Sequence, residues 1–120
     1  MITEDYVSFE IAKLLKEKGF GEECLGTYST GDKELNISFE CPYSNDLNDN
    51  MFVAAPTIQM VTKWLRVIYS IDISITPDRI KNYTALVITN KRLPFTSIGS
   101  FQTYEKACEE AIKYCLTNLI

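Results

Sequence analysis

The spacing of apolar residues along the chain predicts three amphipathic helices. Over residues 4–18, 57–69 and 104–118 the apolar positions recur at intervals of three and four, which places them on one helical face. The second stripe is the widest, so that helix either packs on more than one side or offers part of its surface to a partner. The stripes consist of Val7, Ile11, Leu14 and Leu15; of Ile58, Val61, Leu65 and Ile68, widened by Met60, Trp64, Val67 and Tyr69; and of Tyr104, Cys108, Ala111, Ile112, Cys115 and Leu119.

Residues suited to helix caps flank these stretches. Thr57 and Thr103 precede the second and third helices, where a hydroxyl oxygen can accept a hydrogen bond from a first-turn N–H. The first helix has two candidate N-caps, Thr3 and Ser8, and the second of these would shorten the helix. Gly19 follows the first helix at the position where helices commonly end in left-handed backbone.

Alternation of apolar and polar residues predicts the strands. Residues 24–30 and 34–40 form a predicted hairpin, and residues 71–76 form a strand with one polar face. The run over 84–89 is apolar at both odd and even positions, which is typical of a central strand. Residues 96–101 are predicted to add a short strand at an edge of the sheet.

Residues 41–55 are predicted to form a loop, because turn-forming residues dominate the segment. Asp46, Asn48 and Asn50 repeat the first ligand positions of a calcium-binding loop. However, Met51 stands where such a loop needs glycine, and the twelfth position lacks a carboxylate. We therefore interpret the segment as a solvated loop and predict no metal site.

The predicted element order is α-β-β-α-β-β-(β)-α. Because the strands come in hairpin pairs, this order favours a two-layer α+β fold, in which an antiparallel sheet of four to five strands carries three helices mostly on one face. The chain has 120 residues, and no repeat, linker or low-complexity stretch divides it. We therefore predict a single globular domain over residues 1–120.

The amino-acid composition excludes several classes of function. The chain has no histidine, which excludes every histidine-dependent triad and the commonest ligand for transition metals. No glycine-rich phosphate-binding motif occurs, so we predict no cofactor. The longest apolar run, at 51–55, is far shorter than a bilayer span, and the N-terminus begins with acidic residues in place of a secretory signal. These features predict a cytoplasmic protein with no membrane contact.

The four cysteines, Cys24, Cys41, Cys108 and Cys115, show no C-x-x-C spacing. Cys108 and Cys115 lie two helical turns apart, about 10 Å, which is too far for a disulfide. We interpret the four as small buried side chains in a reducing compartment. The alternatives are a metal site assembled from all four scattered thiolates and a reactive thiol at Cys24 or Cys41.

Charge is distributed unevenly along the chain. Residues 1–50 carry four lysines and eleven acidic residues, whereas residues 51–100 carry six basic and two acidic residues. The basic residues of this middle segment either pair with the acidic first half or form a surface that attracts an anionic partner. The candidate anion or nucleic-acid contacts are Arg79, Lys81, Lys91 and Arg92.

Aromatic residues are numerous, with seven tyrosines, six phenylalanines and one tryptophan. Tyrosine and tryptophan are favoured in recognition surfaces, because they offer large area with few rotatable bonds. Trp64, Arg66 and Tyr69 on the second helix are therefore the candidate partner-binding residues. The alternative is that Trp64 packs against the sheet.

Three segments carry a family resemblance: EIAKLLKEKGF at 10–20, PTIQMVTKWLR at 56–66 and YEKACEEAIKYCL at 104–116. Together they resemble a set of short, uncharacterised proteins of Bacteroides-type gut bacteria, often found in prophages or other mobile elements. The resemblance implies a small cytoplasmic protein of mobile-element type. It implies no activity and no catalytic residues, and the segment at 24–55 does not share it.

Three function classes compete. The leading hypothesis is a small non-enzymatic interaction or accessory module that binds another protein or forms a homodimer. The second is a nucleic-acid-associated accessory factor that uses the basic residues of the middle segment. The third is an enzyme, whose chemistry would fall to carboxylates, cysteine or tyrosine, and we predict that the protein is not an enzyme.

Overall fold

The chain forms two compact units, Met1–Thr57 and Ile58–Ile120. The structure is a computed structural model that describes residues 2–47, 49–89 and 95–120. Both units combine helix with antiparallel strands, which confirms the predicted α+β class. The prediction of a single domain stays a prediction. No helix within the described ranges is both long and apolar enough to cross a membrane.

The helix of the first unit, α1 (Phe9–Glu17), is shorter than the predicted 4–18. Ser8 is its N-cap, because the Ser8 hydroxyl accepts a hydrogen bond from the Ile11 N–H at 3.3 Å. The chain leaves α1 through Gly19, which adopts left-handed backbone with φ at +85°. Phe20 then folds back and is buried, as the fully closed form of this cap requires.

The first unit contains a three-stranded sheet in which β1 (Gly26–Ser29) lies between β2 (Leu35–Ile37) and β3 (Phe52–Ala55). All pairings are antiparallel, so the predicted hairpin forms, with shorter strands than 24–30 and 34–40. The prediction of a loop throughout 41–55 is wrong, because the last four residues are β3. This strand shows no alternation in the sequence: Val53, Ala54 and Ala55 are all buried.

The remainder of that loop is anchored by hydrogen bonds to distant segments. The side-chain amide of Asn45 donates to the Phe20 carbonyl at 3.0 Å, and its oxygen accepts from the Ala54 N–H at 2.9 Å. The Ser44 hydroxyl donates to the Gly21 carbonyl at 2.8 Å. The turn-forming side chains therefore connect the loop to the rest of the unit and are not simply solvated.

The second unit contains two helices and a second three-stranded sheet. In chain order its elements are α2 (Ile58–Tyr69), β4 (Asp72–Pro77), β5 (Tyr83–Ile88), β6 (Phe95–Phe101) and α3 (Tyr104–Tyr114), followed by a π-helical turn at Cys115–Leu119. The strands pair antiparallel in the order β4-β5-β6, which confirms β5 as the central strand and β6 as an edge strand. Thr103 is the N-cap of α3, as predicted, because its hydroxyl accepts from the Lys106 N–H at 3.1 Å.

One face of the second sheet is covered by helix. α3 contacts all three strands, and α2 contacts α3 and β4. Ala85 and Val87 on the covered face are buried, while Ile88 and Phe95 on the opposite face are exposed. The described residues thus form two sheets of three strands, in place of the predicted single sheet of four to five. The order becomes α-β-β-β-α-β-β-β-α, because β3 adds a strand to the first hairpin.

Candidate interaction surfaces

The predicted patch on α2 is exposed only in part. Trp64 is buried, with 8% of its surface exposed, so most of its ring is packed within the protein. Its ring meets the ring of Tyr69 edge to face, with the centroids 5.2 Å apart. Tyr69 and Arg66 are exposed, so the accessible aromatic of the pair is the tyrosine.

Two apolar residues beside Tyr69 are more exposed than Tyr69 itself. Val67 has 65% and Ile68 has 57% of its surface exposed. Ile68 was expected in the buried stripe, because it lies two helical turns after the fully buried Val61 and therefore on the same face. Its exposure means that the last turn of α2 extends past the layer that covers the earlier turns. The spacing of apolar residues identifies the buried face of a helix, but it does not identify the turn beyond which neighbouring elements no longer cover that face.

We call Arg66, Val67, Ile68 and Tyr69 the α2 end surface. The chain turns sharply after it, because Ser70 adopts left-handed backbone with φ at +56° and the Ile71 N–H bonds back to the Leu65 carbonyl at 3.1 Å. This bond joins residues six apart, one more than the six-to-one bond of a Schellman cap, but it likewise closes the end of the helix after a left-handed residue. The cap fixes the direction of the final helical turn, so the α2 end surface is presented by ordered backbone.

Arg79 and Lys81 lie at the tip of the turn that joins β4 to β5, and both are exposed. One carboxylate oxygen of Asp78 accepts hydrogen bonds from the Ile80 and Asn82 N–H groups, both at 2.9 Å. These bonds hold a compact turn that directs the two cations to solvent. The turn carries no aromatic residue, although nucleic-acid surfaces commonly interleave the two types.

The other two predicted cations, Lys91 and Arg92, lie outside the described residues. Lys106 and Glu110, which lie one helical turn apart on α3, form an ion pair at 2.8 Å. Arg66, Arg79 and Lys81 form no ion pair with any described residue. The alternative in which the basic middle segment is neutralised inside the fold therefore gains no support from these three.

The cysteines differ in exposure. Cys24, Cys108 and Cys115 are buried and Cys41 is exposed, and all four are free thiols. Burial raises the pKa of Cys24 to about 12, with a further contribution from the Glu22 carboxylate. Burial likewise raises the pKa of Cys115 to about 12. Both are protonated at neutral pH, so neither is a nucleophile there. Across residues 2–47, 49–89 and 95–120, no cluster of three or more cysteine, aspartate or glutamate side chains could hold a metal ion.

Comparison with known proteins adds no family. A scan against protein-family models, a search of curated proteins and a search of solved structures each found no match. The resemblance noted for residues 10–20, 56–66 and 104–116 therefore stays a prediction. Functional inference rests on the surfaces described above.

Proposed function

We propose that the chain is a small non-enzymatic protein-interaction module that binds through the α2 end surface. The observation that carries the proposal is the exposure of Val67 and Ile68 next to Tyr69. Exposed apolar side chains grouped at one end of a helix, on ordered backbone, are one mark of a protein-binding surface. Tyrosine and arginine, the other members of this surface, are the residue types enriched at the energetic centres of interfaces.

The partner that we propose for the isolated protein is a second copy of the chain. The α2 end surface is self-complementary in character, because its centre is apolar and Arg66 is its only charge. Burying a valine or isoleucine side chain contributes about 1.5–3 kcal/mol, and a two-fold dimer buries each residue twice. Val67 and Ile68 are already partly covered, so the gain on dimerisation is smaller than this sum and is largely offset by the cost of association. We therefore expect a weak dimer, with a dissociation constant on the order of 10–1,000 µM, and not a permanent one.

Sedimentation equilibrium over about 10 µM to 1 mM tests the proposal. We expect a monomer–dimer equilibrium that Ile68→Lys abolishes and that the matched variant Ile80→Lys leaves intact. Ile80 is likewise exposed, at 76%, but it lies in the β4–β5 turn. Lysine suits the last turn of a helix, so Ile68→Lys should fold, and circular dichroism confirms this. A protein that stays monomeric at 1 mM, or a dimer equally sensitive to both variants, overturns the proposal.

A second candidate function is contact with nucleic acid through the tip of the β4–β5 turn. The observation that favours it is the exposure of Arg79 and Lys81 without an ion pair in the described part of the chain. Fluorescence anisotropy with labelled single-stranded and duplex oligonucleotides tests it. We expect affinity that falls steeply with salt and is reduced in the double variant Arg79→Gln/Lys81→Gln. Absence of binding at about 50 mM salt removes this function.

A further inference from the structure

The strand β2 (Leu35–Ile37) is an edge strand of the first sheet, and its outer backbone groups are unpaired. The Ser38 N–H donates to the Leu25 carbonyl at 2.8 Å, and the Ser29 N–H donates to the Glu34 carbonyl at 3.4 Å. Because hydrogen-bonding direction alternates along an antiparallel strand, the N–H and C=O groups of Leu35 and Ile37 point away from β1. No described residue pairs with them.

The side chains along this edge form an apolar row. Leu35 and Ile37 each have 40% of their surface exposed, and Phe39, in the bend after the strand, has 79% exposed. Proteins protect such an edge with lysine, proline, a bulge or a very short strand. β2 contains no lysine, proline or bulge, and its one such feature is its length of three residues. An unpaired edge with alternate apolar side chains is the surface that a peptide uses when it adds to a sheet as an extra strand.

Charge identifies the occupant. Asp32, Glu34 and Glu40 flank the apolar row and outnumber the one basic residue there, Lys33, by three to one. The first unit as a whole carries eleven acidic residues against four lysines. A second copy of β2 paired antiparallel with the first would bring this acidic set against itself, which destabilises a strand pair. A segment with basic residues at alternate positions instead places opposite charges across the pair. The favoured occupant is therefore an extended basic segment of another protein.

We propose that the outer edge of β2 binds such a segment, in which apolar and basic residues alternate, as a fourth strand of the first sheet. Its apolar side chains lie on the face of Leu35 and Ile37, and its basic side chains lie on the opposite face with Glu34. Residues directly opposite in a strand pair share a face, so the apolar residues of the segment are those whose N–H and C=O groups bond to β2. The site lies in the first unit and does not depend on the α2 end surface.

Binding is tested with a labelled peptide of alternating valine and lysine, measured by fluorescence anisotropy. Two backbone-methylated versions separate strand addition from simple charge attraction. Methylation of the valine nitrogens removes the N–H groups that face β2, and we expect affinity to fall at least tenfold. Methylation of the backbone nitrogens of the lysine residues alters only the N–H groups that point away from β2. We therefore expect an affinity within about twofold of that of the parent peptide. Equal affinities for the two methylated peptides overturn the proposal, as does the absence of binding by the parent peptide.

Protein variants provide the complementary test. Ile37→Pro removes an N–H that bonds to no described residue, so the variant should keep its circular dichroism spectrum and lose peptide binding. Glu34→Gln should weaken binding and its salt dependence, and a peptide of alternating valine and glutamate should not bind. Ile68→Lys should bind the peptide like the unmodified protein, which separates this site from the α2 end surface. A homodimer that Ile37→Pro dissociates and Ile68→Lys does not would assign the edge to a second copy and overturn the proposal.

Discussion

The two sheets each contain three antiparallel strands, yet different kinds of contact hold them together. In the second sheet β4, β5 and β6 follow one another, so every strand pairs with its neighbour in sequence. In the first sheet β1 is central and its second partner, β3, returns only after the segment at 38–51. The first sheet therefore depends on contacts between residues far apart in sequence, whereas the second is assembled from local hairpins.

The loops of the two units show the same difference. Asp78 bonds to Ile80 and Asn82, within its own turn. Asn45 instead bonds to Phe20 and Ala54, which lie on two different segments. Both are turn-forming residues, but only Asn45 connects elements that are not neighbours. We therefore expect single substitutions of loop and anchor residues to destabilise the first unit more than the second.

The largest effect is expected at Phe20, which is 1% exposed and follows the cap of α1. Phe20→Ala should lower the free energy of unfolding by about 3–5 kcal/mol, because it leaves a cavity where an aromatic ring packed. Urea denaturation followed by circular dichroism measures the change. Phe39→Ala is the control, because that ring is 79% exposed, and its effect should stay within about 0.5 kcal/mol. A loss below about 1 kcal/mol for Phe20→Ala would show that this anchor is dispensable.

The second-largest effect is expected at Asn45, and the loss of stability on its substitution is compared with that at Asp78. Asn45→Ala removes the hydrogen-bond acceptor of the Ala54 N–H, in a fully buried residue, and also removes the bond from Asn45 to the Phe20 carbonyl, so we expect a loss of about 2–3 kcal/mol. Asp78→Ala removes two hydrogen bonds from an exposed turn, where water replaces them, and we expect about 1 kcal/mol or less. The urea midpoints of the two variants check this order. Equal losses would contradict the contrast between distant and local contacts.

The same contrast explains how much of the fold the sequence predicts. The positions of α2, β4, β5, β6 and α3 follow from local periodicity to within a few residues. β3 does not, because it has only four residues and depends on pairing with β1. Its burial pattern also lacks the alternation that marks a strand with one polar face.

The candidate site is predictable to a smaller extent. Tyr69 and Arg66 are exposed, as the pattern of the second helix allows. Trp64 is buried and Ile68 is exposed, and helical spacing alone suggests the reverse for Ile68. Exposure at a helix end depends on where the neighbouring layer stops, which is a property of tertiary packing. The free edge of β2 likewise depends on strand order, which local sequence does not encode.

The third effect concerns pH, because each unit buries a thiol whose pKa is raised from 9.0 to about 12, Cys24 in the first and Cys115 in the second. In the unfolded chain these thiols ionise from about pH 9, whereas in the folded protein they stay protonated to about pH 12. The folded state then binds more protons, so stability is complete below pH 9 and falls as the pH rises toward 12. Each thiol contributes at most about 1.4 kcal/mol per pH unit.

Urea unfolding at a series of alkaline pH values, with a non-thiol reductant present, measures this slope. Cys24→Ala and Cys115→Ala should each make the decline shallower, whatever they do to stability at neutral pH. Cys41→Ala should leave the slope unchanged, because that residue is exposed. A slope unaffected by all three substitutions would show that groups other than the buried thiols govern alkaline unfolding.

The smallest effect compares the two helix caps, which both place a residue in left-handed backbone after the helix but use different residue types there. The Phe20 N–H bonds to the Leu15 carbonyl at 3.0 Å around Gly19, and the Ile71 N–H bonds to the Leu65 carbonyl at 3.1 Å around Ser70. A residue with a Cβ is strained in left-handed backbone by about 1 kcal/mol, and glycine is not. Gly19→Ala should therefore destabilise the protein by about 1 kcal/mol, and Ser70→Gly should stabilise it by about 0.5–1 kcal/mol.

At Gly19 an added side chain has open space around it, so the effect of Gly19→Ala reports backbone conformation and not steric overlap. A Cβ at Gly19 would meet no atom within 4 Å, so steric overlap does not contribute to the loss. Gly31→Ala is the control, since its nearest neighbour would be the Ser29 hydroxyl at 3.8 Å and its φ is not positive. Opposite signs for Gly19→Ala and Ser70→Gly, with little change for Gly31→Ala, would show that local cap strain is equivalent in the two units. The greater sensitivity of the first unit would then arise from its long-range contacts alone. A destabilising Ser70→Gly would instead assign a stabilising role to the Ser70 side chain beside the α2 end surface.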